Sequence, residues 1–144
     1  AVLVRTSNPG ARDFQDLDAG GAPVWARVAE ALQPAMDRLR GLAGFSSLMI
    51  VAGATWPQEA RTLRALLGQA LFLVPGYGAQ GGAAGDAVAG FVAGPAGLEG
   101  GLVSSSRAIL YPPGAHDTAA GWEQAFDSAL AAAIAELSAA VRSA

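Results

Sequence analysis

Four times along this chain an unbroken apolar run ends in a loop of small and polar residues, and a helical pattern follows. The runs are Val2-Leu-Val4, Ser47-Leu-Met-Ile-Val51, Leu71-Phe-Leu-Val74 and Leu102-Val103, the last reaching Ser104 or Ser105. None alternates apolar with polar residues. Strands of that kind are buried on both faces, which means a parallel sheet covered by helices. Between them, Pro23 to Leu42 carries Val24, Val28, Leu32, Met36 and Leu39 at the spacing of one helical face. Pro34 is expected to kink or split that helix. Thr55-Trp-Pro-Gln58 fits a capping box with proline in the first turn, opening a helix through Leu67. Ala83 to Phe91 reads as a weak Ala/Gly helix. Trp122, Phe126, Leu130, Ile134, Leu137 and Val141 form the stripe of a long helix capped by Asp117 or Thr118.

The fold class is α/β, four consecutive β/α units in 144 residues. Two architectures accommodate them: an open doubly wound sheet of four strands, or half of a (β/α)8 barrel. In either one, functional groups gather at the C-terminal ends of the strands. The polar candidates all sit there: Thr6 and Ser7, Gly53 to Thr55, Pro75 to Gly82, and Ser104 to Arg107.

Composition excludes several chemistries. Net charge is −3, against a nucleic-acid or membrane-surface binder, which needs a basic field. Without cysteine there is no thiolate metal site, disulfide or thiol catalysis. A single histidine, His116, cannot build a multi-histidine metal site. No apolar stretch approaches the roughly 20 residues of a membrane span, and no signal peptide is visible. All nine basic residues are arginines; there is no lysine. The chain opens inside an apolar run, Ala1-Val-Leu-Val4, without an initiator methionine. That start is expected of a segment cut from something longer.

Two loops carry most of the chemistry. Leu73-Val-Pro-Gly-Tyr-Gly-Ala-Gln-Gly-Gly82 and Leu102-Val-Ser-Ser-Ser-Arg-Ala108 each offer one long polar side chain, Gln80 or Arg107. Backbone amides freed by glycines beside one guanidinium make a phosphate cradle. Leaving neighbouring parallel strands, the two loops are expected to converge. Gly76-Tyr-Gly-Ala-Gln-Gly81 formally matches the dinucleotide fingerprint, yet it lies in the third unit and the next strand ends in Ser104-Ser-Ser-Arg rather than an acid. The plainer alternative is that these glycines only make tight turns.

Arg5-Thr-Ser-Asn-Pro-Gly-Ala11, Val51-Ala-Gly-Ala-Thr-Trp-Pro57, Leu73 to Gly82 and Val103-Ser-Ser-Ser-Arg-Ala-Ile109 together resemble the orotidine 5′-phosphate decarboxylase family, in particular its longer bacterial branch. Pro-Gly-x-Gly-Ala-Gln-Gly-Gly is the specific signature; Ser-Arg is not specific alone. The resemblance spans nearly the whole chain but only strands five to eight of the family's barrel. It implies that Gln80 reaches both the phosphate and the pyrimidine O2 edge. Arg107 would hold the phosphate dianion, with backbone amides near Ser106 and Arg107 as further donors. Ser7 would read the pyrimidine O4 and N3 edge, and Pro75 would wall the reacting centre. Thr6 and Gly78 complete the implied substrate-binding set. The ligand is orotidine 5′-phosphate or its product UMP. The resemblance further implies a cytoplasmic homodimer that uses no cofactor or metal.

At the catalytic centre the chain departs from the family. Its members carry an Asp/Lys array on earlier strands, in which lysine protonates the C6 carbanion left by carbon dioxide. A chain without lysine cannot contain that array. Either the first half of the barrel is missing here, or a cleaved or split enzyme is completed by another segment, the missing N-terminal half. By itself the chain is expected to bind without chemistry. Its edge strands, near Val2-Leu-Val4 and Leu102-Val103, would be unpaired and apolar, favouring poor solubility or pairing with a copy or with the missing half. Two rivals stay open: a non-catalytic phospholigand-binding half-barrel, and another sugar-phosphate barrel enzyme such as an aldolase, epimerase or isomerase.

The remaining polar singletons read more plainly. His116 is a solvated loop histidine, and Asp13, Asp16 and Asp18 are a solvated acidic stretch lacking the Gly and Glu of a calcium loop. Arg5 faces the barrel interior or the ligand mouth. Tyr77 covers the phosphate or packs on the surface. Trp25, Trp56, Trp122 and Phe126 read as helix residues of the core.

Overall fold

The computed structural model describes residues 1–113 and 118–142; His116 and Asp117 lie outside the described residues. Strands β1 (Val2–Arg5), β2 (Met49–Ala52), β3 (Leu71–Val74) and β6 (Gly101–Val103) form one sheet in the order β1-β2-β3-β6, and every pairing is parallel. Chain order equals spatial order, as in a barrel wall. Helices α1 (Ala11–Gln15) and α2 (Val24–Arg38) follow β1, and α3 (Pro57–Leu66) follows β2. After β3 come α4 (Ala84–Ala87) and an antiparallel hairpin of β4 (Val92–Gly94) and β5 (Gly97–Glu99). After β6 come α5 (Arg107–Leu110) and α6 (Ala119–Arg142).

Register separates the two sheet faces. Val4, Ile50, Ala52, Phe72 and Val74 join one core cluster with Trp25, Ala26 and Ala29 of α2, Ala60 and Leu63 of α3, and Ala87 of α4. Ala133 and Leu137 of α6 pack against the same cluster. The opposite row, Leu3–Val51–Leu73–Leu102, is outside that cluster. Its two ends are open, Leu3 at 67% and Leu102 at 62% exposure. The expected burial on both faces is therefore corrected to one. A doubly wound sheet carries helices on both faces; a barrel wall carries them outside only. The four units adopt the half-barrel arrangement.

Several local expectations are corrected. Pro34 neither ends nor splits α2, because Trp25, Ala26 and Ala29 before it and Met36 after it are buried. Packing on both sides outweighs the roughly 3 kcal/mol that an interior proline costs. The Thr55 capping box does not form. Trp56 is the N-cap without a side-chain hydrogen bond, Pro57 opens α3, and the Thr55 hydroxyl is buried without a partner. The weak helix of residues 83–91 shrinks to α4, and the Gly-Pro-Ala-Gly turn that follows makes the hairpin. Thr118 does cap α6, its hydroxyl accepting the Gly121 N–H at 3.2 Å. The α6 stripe is only partly covered. Trp122 is exposed and stacks on Phe126 at 5.2 Å, so the core position expected of Trp122 is not found. Trp25 is buried as expected.

Candidate functional site

The strand C-terminal ends are fastened to one another by backbone bonds. Gly53 N–H donates to Arg5 C=O (2.7 Å), Ala54 N–H to Pro75 C=O (2.8 Å), and Ser104 N–H to Val74 C=O (3.0 Å). Three further bonds close the glycine-rich loop: Gly78 N–H to Gly82 C=O, Gly81 N–H to Gly78 C=O, and Gly82 N–H to Gly76 C=O. Two glycines make room for Ser7. A Cβ on Gly53 would lie 2.8 Å from Ser7 Cβ, and one on Gly76, whose φ is +97°, only 2.7 Å away. No side chain fits at either position while Ser7 stays where it is.

Gln80 joins the loops. In the amide orientation that satisfies its neighbours, its nitrogen donates to Ser7 Oγ (2.6 Å) and Ser7 C=O (3.1 Å). Its oxygen accepts from Arg107 Nη2 at 2.9 Å. Three strand ends thus meet at one side chain. Two adjoining concavities share Ala79, Gln80 and Arg107. The smaller, about 140 Å³, is lined by Pro75 to Tyr77 and Ser104 to Ser106; the larger, about 440 Å³, opens toward Ser7, Asn8 and Pro9. Neither is lined by a carboxylate, so Arg107 gives both a positive character. The N–H groups of Ser106 and Arg107 have no protein acceptor among the described residues. The arrangement can hold an anion at one end and a polar planar group at the other.

Of the residues expected in the site, Ser7, Pro75, Gln80, Ser106 and Arg107 line these concavities, whereas Thr6 and Gly78 do not. Gly78 shapes the loop, with φ +73° and no room for more than a small group beside Ala108. Thr6 is engaged internally. Its N–H donates to Gln15 Oε1 (3.1 Å), its hydroxyl accepts from Gln15 Nε2 (2.9 Å) and donates to Asn8 Oδ1 (2.6 Å), and its C=O accepts the Trp56 indole N–H (2.7 Å). Ala79, Ser104 and Ser105 line the concavities from within the two candidate loops, whereas Asn8 and Pro9 do so without having been among the polar candidates; their position in the turn directly after Ser7 was the available signal.

Two expectations about charge and aromatic residues are corrected. Arg5 faces neither lumen nor ligand mouth. It is 1% exposed, ion-paired with Asp16 (2.7 Å) and Glu59 (3.4 Å), and lies 4.1 Å over the Trp56 ring. Asp16 is consequently a partner of Arg5 rather than a free solvated acid. Tyr77 borders the smaller concavity but is buried, and its hydroxyl donates at 2.7 Å to Oε2 of Glu136 on α6, a residue that lines neither concavity. Burial first, then the hydrogen bond and negative charge of Glu136, push its pKa up to about 12. Among the described residues no cluster of metal-ligating side chains occurs, and no helix is long and apolar enough to cross a membrane.

No protein-family model matches the chain. It is 41% identical over 119 residues to an orotidine 5′-phosphate decarboxylase of Cellvibrio japonicus, covering 82% of this chain and 40% of that protein. An orotidine 5′-phosphate decarboxylase of Azoarcus sp. is 45% identical over 120 residues, with 83% and 41% covered. One from Clostridium perfringens is 46% identical over 110 residues, with 76% and 37% covered. Among solved structures, Leishmania donovani UMP synthase superposes with TM-score 0.59 and 32% identity, over 92% of this chain and 27% of that one. A Toxoplasma gondii structure described as a putative orotidine-monophosphate decarboxylase gives TM-score 0.67 at 24% identity, over 94% and 50%, and bears on the fold alone. The chain spans about two-fifths of the length of the curated relatives it matches.

Proposed function

We propose that this chain is the phosphate- and pyrimidine-binding half of an orotidine 5′-phosphate decarboxylase, an enzyme of pyrimidine synthesis that releases UMP and carbon dioxide. The observation that carries the reading is the Gln80 amide, bonded to Ser7 on one side and Arg107 on the other. A nucleotide presents a dianion and a planar ring edge at opposite ends, and this bridge stands between groups suited to each. Arg107 with the Ser106 and Arg107 amides would take the phosphate by charge-assisted bonds. Ser7 would address the pyrimidine amide edge. Likeness at 41–46% identity to proteins named orotidine 5′-phosphate decarboxylase supports the substrate class.

The bond to C6 breaks heterolytically, carbon dioxide departs, and a proton must reach the electron pair left on C6. No side chain here supplies it: the two concavities have no carboxylate lining and the chain has no lysine. The Asp/Lys array belongs to the complementary strands, which would pack over Leu3, Val51, Leu73 and Leu102 and pair with the free edges of β1 and β6. The working enzyme is a cytoplasmic homodimer of completed barrels that needs no cofactor. The chain alone is a binding unit.

Fusing the chain behind a four-unit half that bears the Asp/Lys array, and assaying carbon dioxide release from orotidine 5′-phosphate, tests this. Activity is expected only in the fusion, and Arg107→Ala is expected to raise KM by about 10- to 100-fold. A folded fusion without activity, or an unchanged KM, overturns the assignment.

A further inference from the structure

We propose that Trp56 and Gln15, braced by Arg5, are positioning residues for Ser7 and so set recognition at the base end of the site; this rests on the ligand reading above. Among the described residues, Ser7 receives hydrogen bonds from Gln80 alone. Its placement is delegated to the preceding peptide. Every polar group of Thr6 has a partner, supplied by Gln15, Asn8 or the Trp56 indole 50 residues away in sequence.

The indole is itself held. The Arg5 guanidinium lies 4.1 Å and that of Arg12 4.7 Å from the ring centroid. Arg5 then reaches Asp16 at the end of α1 and Glu59 in the first turn of α3, while its C=O accepts from Gly53 N–H. One cation therefore fixes the relative position of the β1 exit, the start of α3 and the end of α1. Those three segments surround the Thr6-Ser7 peptide.

Stability alone does not explain this cluster. Arg5 is fully buried, yet its Nε has no hydrogen-bond partner, and the short Nη1 contact to Asp16 is misaligned for one. Burying a guanidinium with incomplete pairing is costly, and apolar groups of equal volume usually fill such space more favourably. What the arrangement provides is a definite direction for the Trp56 N–H, and through it for the Thr6 carbonyl.

Trp56→Phe keeps a ring beneath Arg5 but removes the N–H; Gln15→Ala, on a partly exposed helix, removes the two Gln15 bonds and leaves Thr6 only those to Asn8 and Trp56. Both are tested in the 144-residue chain by calorimetry with UMP and with ribose 5-phosphate, and by amide hydrogen exchange at Thr6, whose N–H is the one donated to Gln15. UMP affinity is expected to fall about tenfold, ribose 5-phosphate affinity to stay within about threefold, and exchange at Thr6 to accelerate. Equal losses for both ligands, or unchanged exchange in either folded variant, overturn the proposal. If the unaltered chain binds neither ligand, the nucleotide reading fails, while the exchange rates still decide whether Trp56 and Gln15 hold Ser7.

Discussion

Tyr77, in the glycine-rich loop, donates a 2.7 Å hydrogen bond to Glu136, 59 residues later on α6. Among the described residues α6 buries no side chain fully, so it is held by partial contacts with α4, α5 and β5. One part-buried hydrogen bond is then a large part of its attachment. Tyr77→Phe is expected to destabilise the chain by about 1 kcal/mol, read from urea unfolding. The pH dependence gives a second signature. The folded-state pKa is about 12 against an ordinary 10.0, so the folded protein keeps a proton that the unfolded chain loses between those values. The contribution is complete below pH 10 and disappears toward pH 12. The stability difference between the parent chain and Tyr77→Phe should be flat below pH 10 and shrink above it; a difference constant to pH 12 contradicts the bond.

Arg64 ties together the other end of the sheet. Its Nε donates to Gly90 C=O (2.6 Å), Nη1 to Gly68 (2.9 Å) and Ala70 (2.8 Å), and Nη2 to Gly100 (3.0 Å), while the guanidinium lies 4.2 Å from the Phe72 ring centroid. Burial lowers its pKa to about 10 from 12.5. Here the unfolded chain binds the extra proton between those values, so this group makes stability rise with pH there, opposing Tyr77. Arg64→Met takes the guanidinium donor from the Gly68, Ala70 and Gly90 carbonyls, while Gly100 C=O keeps the Phe72 N–H at 3.0 Å, and is expected to lose roughly 3 kcal/mol. Arg64→Lys should rescue little of it, because a point charge cannot reproduce the planar fork. Phosphate affinity should survive in whatever fraction folds, since Arg64 bonds the loops that lead into β3 and β6, opposite the strand ends bearing Gln80 and Arg107.

The convergence of Ser7, Gln80 and Arg107 was legible because strand C-terminal ends in parallel sheets face one way, so loop chemistry could be placed without side-chain detail. Element order was legible from non-alternating runs, although these runs suggested two covered faces. What escaped was set by tertiary packing. Burial either side of Pro34 overrides its helix-breaking tendency. Thr55 has the right side chain for a cap, yet Trp56 takes that position so that its indole can reach Thr6 across the sheet end. Arg5 looked like a ligand-facing cation because sequence spacing cannot show that β1 shifts register between Leu3 and Arg5, where regular alternation fails.

Leu3 and Leu102 stand in one register row at opposite edges of the sheet, and neither edge strand carries an outward charge, proline or cover that would discourage pairing. The isolated chain is expected to self-associate with rising concentration in sedimentation experiments. Leu3→Asp with Leu102→Asp should reduce that association, with little loss of stability because both side chains are already exposed. A chain that stays monodisperse before substitution would show that these edges are protected in solution.

Gln80→Glu separates the two jobs of the bridging amide. The substituted carboxylate can still accept from Arg107, now as an ion pair, but it has no N–H for Ser7 Oγ or the Ser7 carbonyl. It also puts a negative charge beside the guanidinium where an anion would sit. Both changes oppose ligand binding, through different partners. Against Gln80→Ala, which removes the Ser7 bonds but leaves Arg107 free, Gln80→Glu is therefore expected to bind inorganic phosphate at least about tenfold more weakly. Added salt should narrow that gap, since Arg107 and residue 80 are both exposed and their charges are screened. Equal phosphate affinity in the two variants would mean that Arg107 does not meet the anion beside residue 80, and the shared-cradle geometry would fail with it.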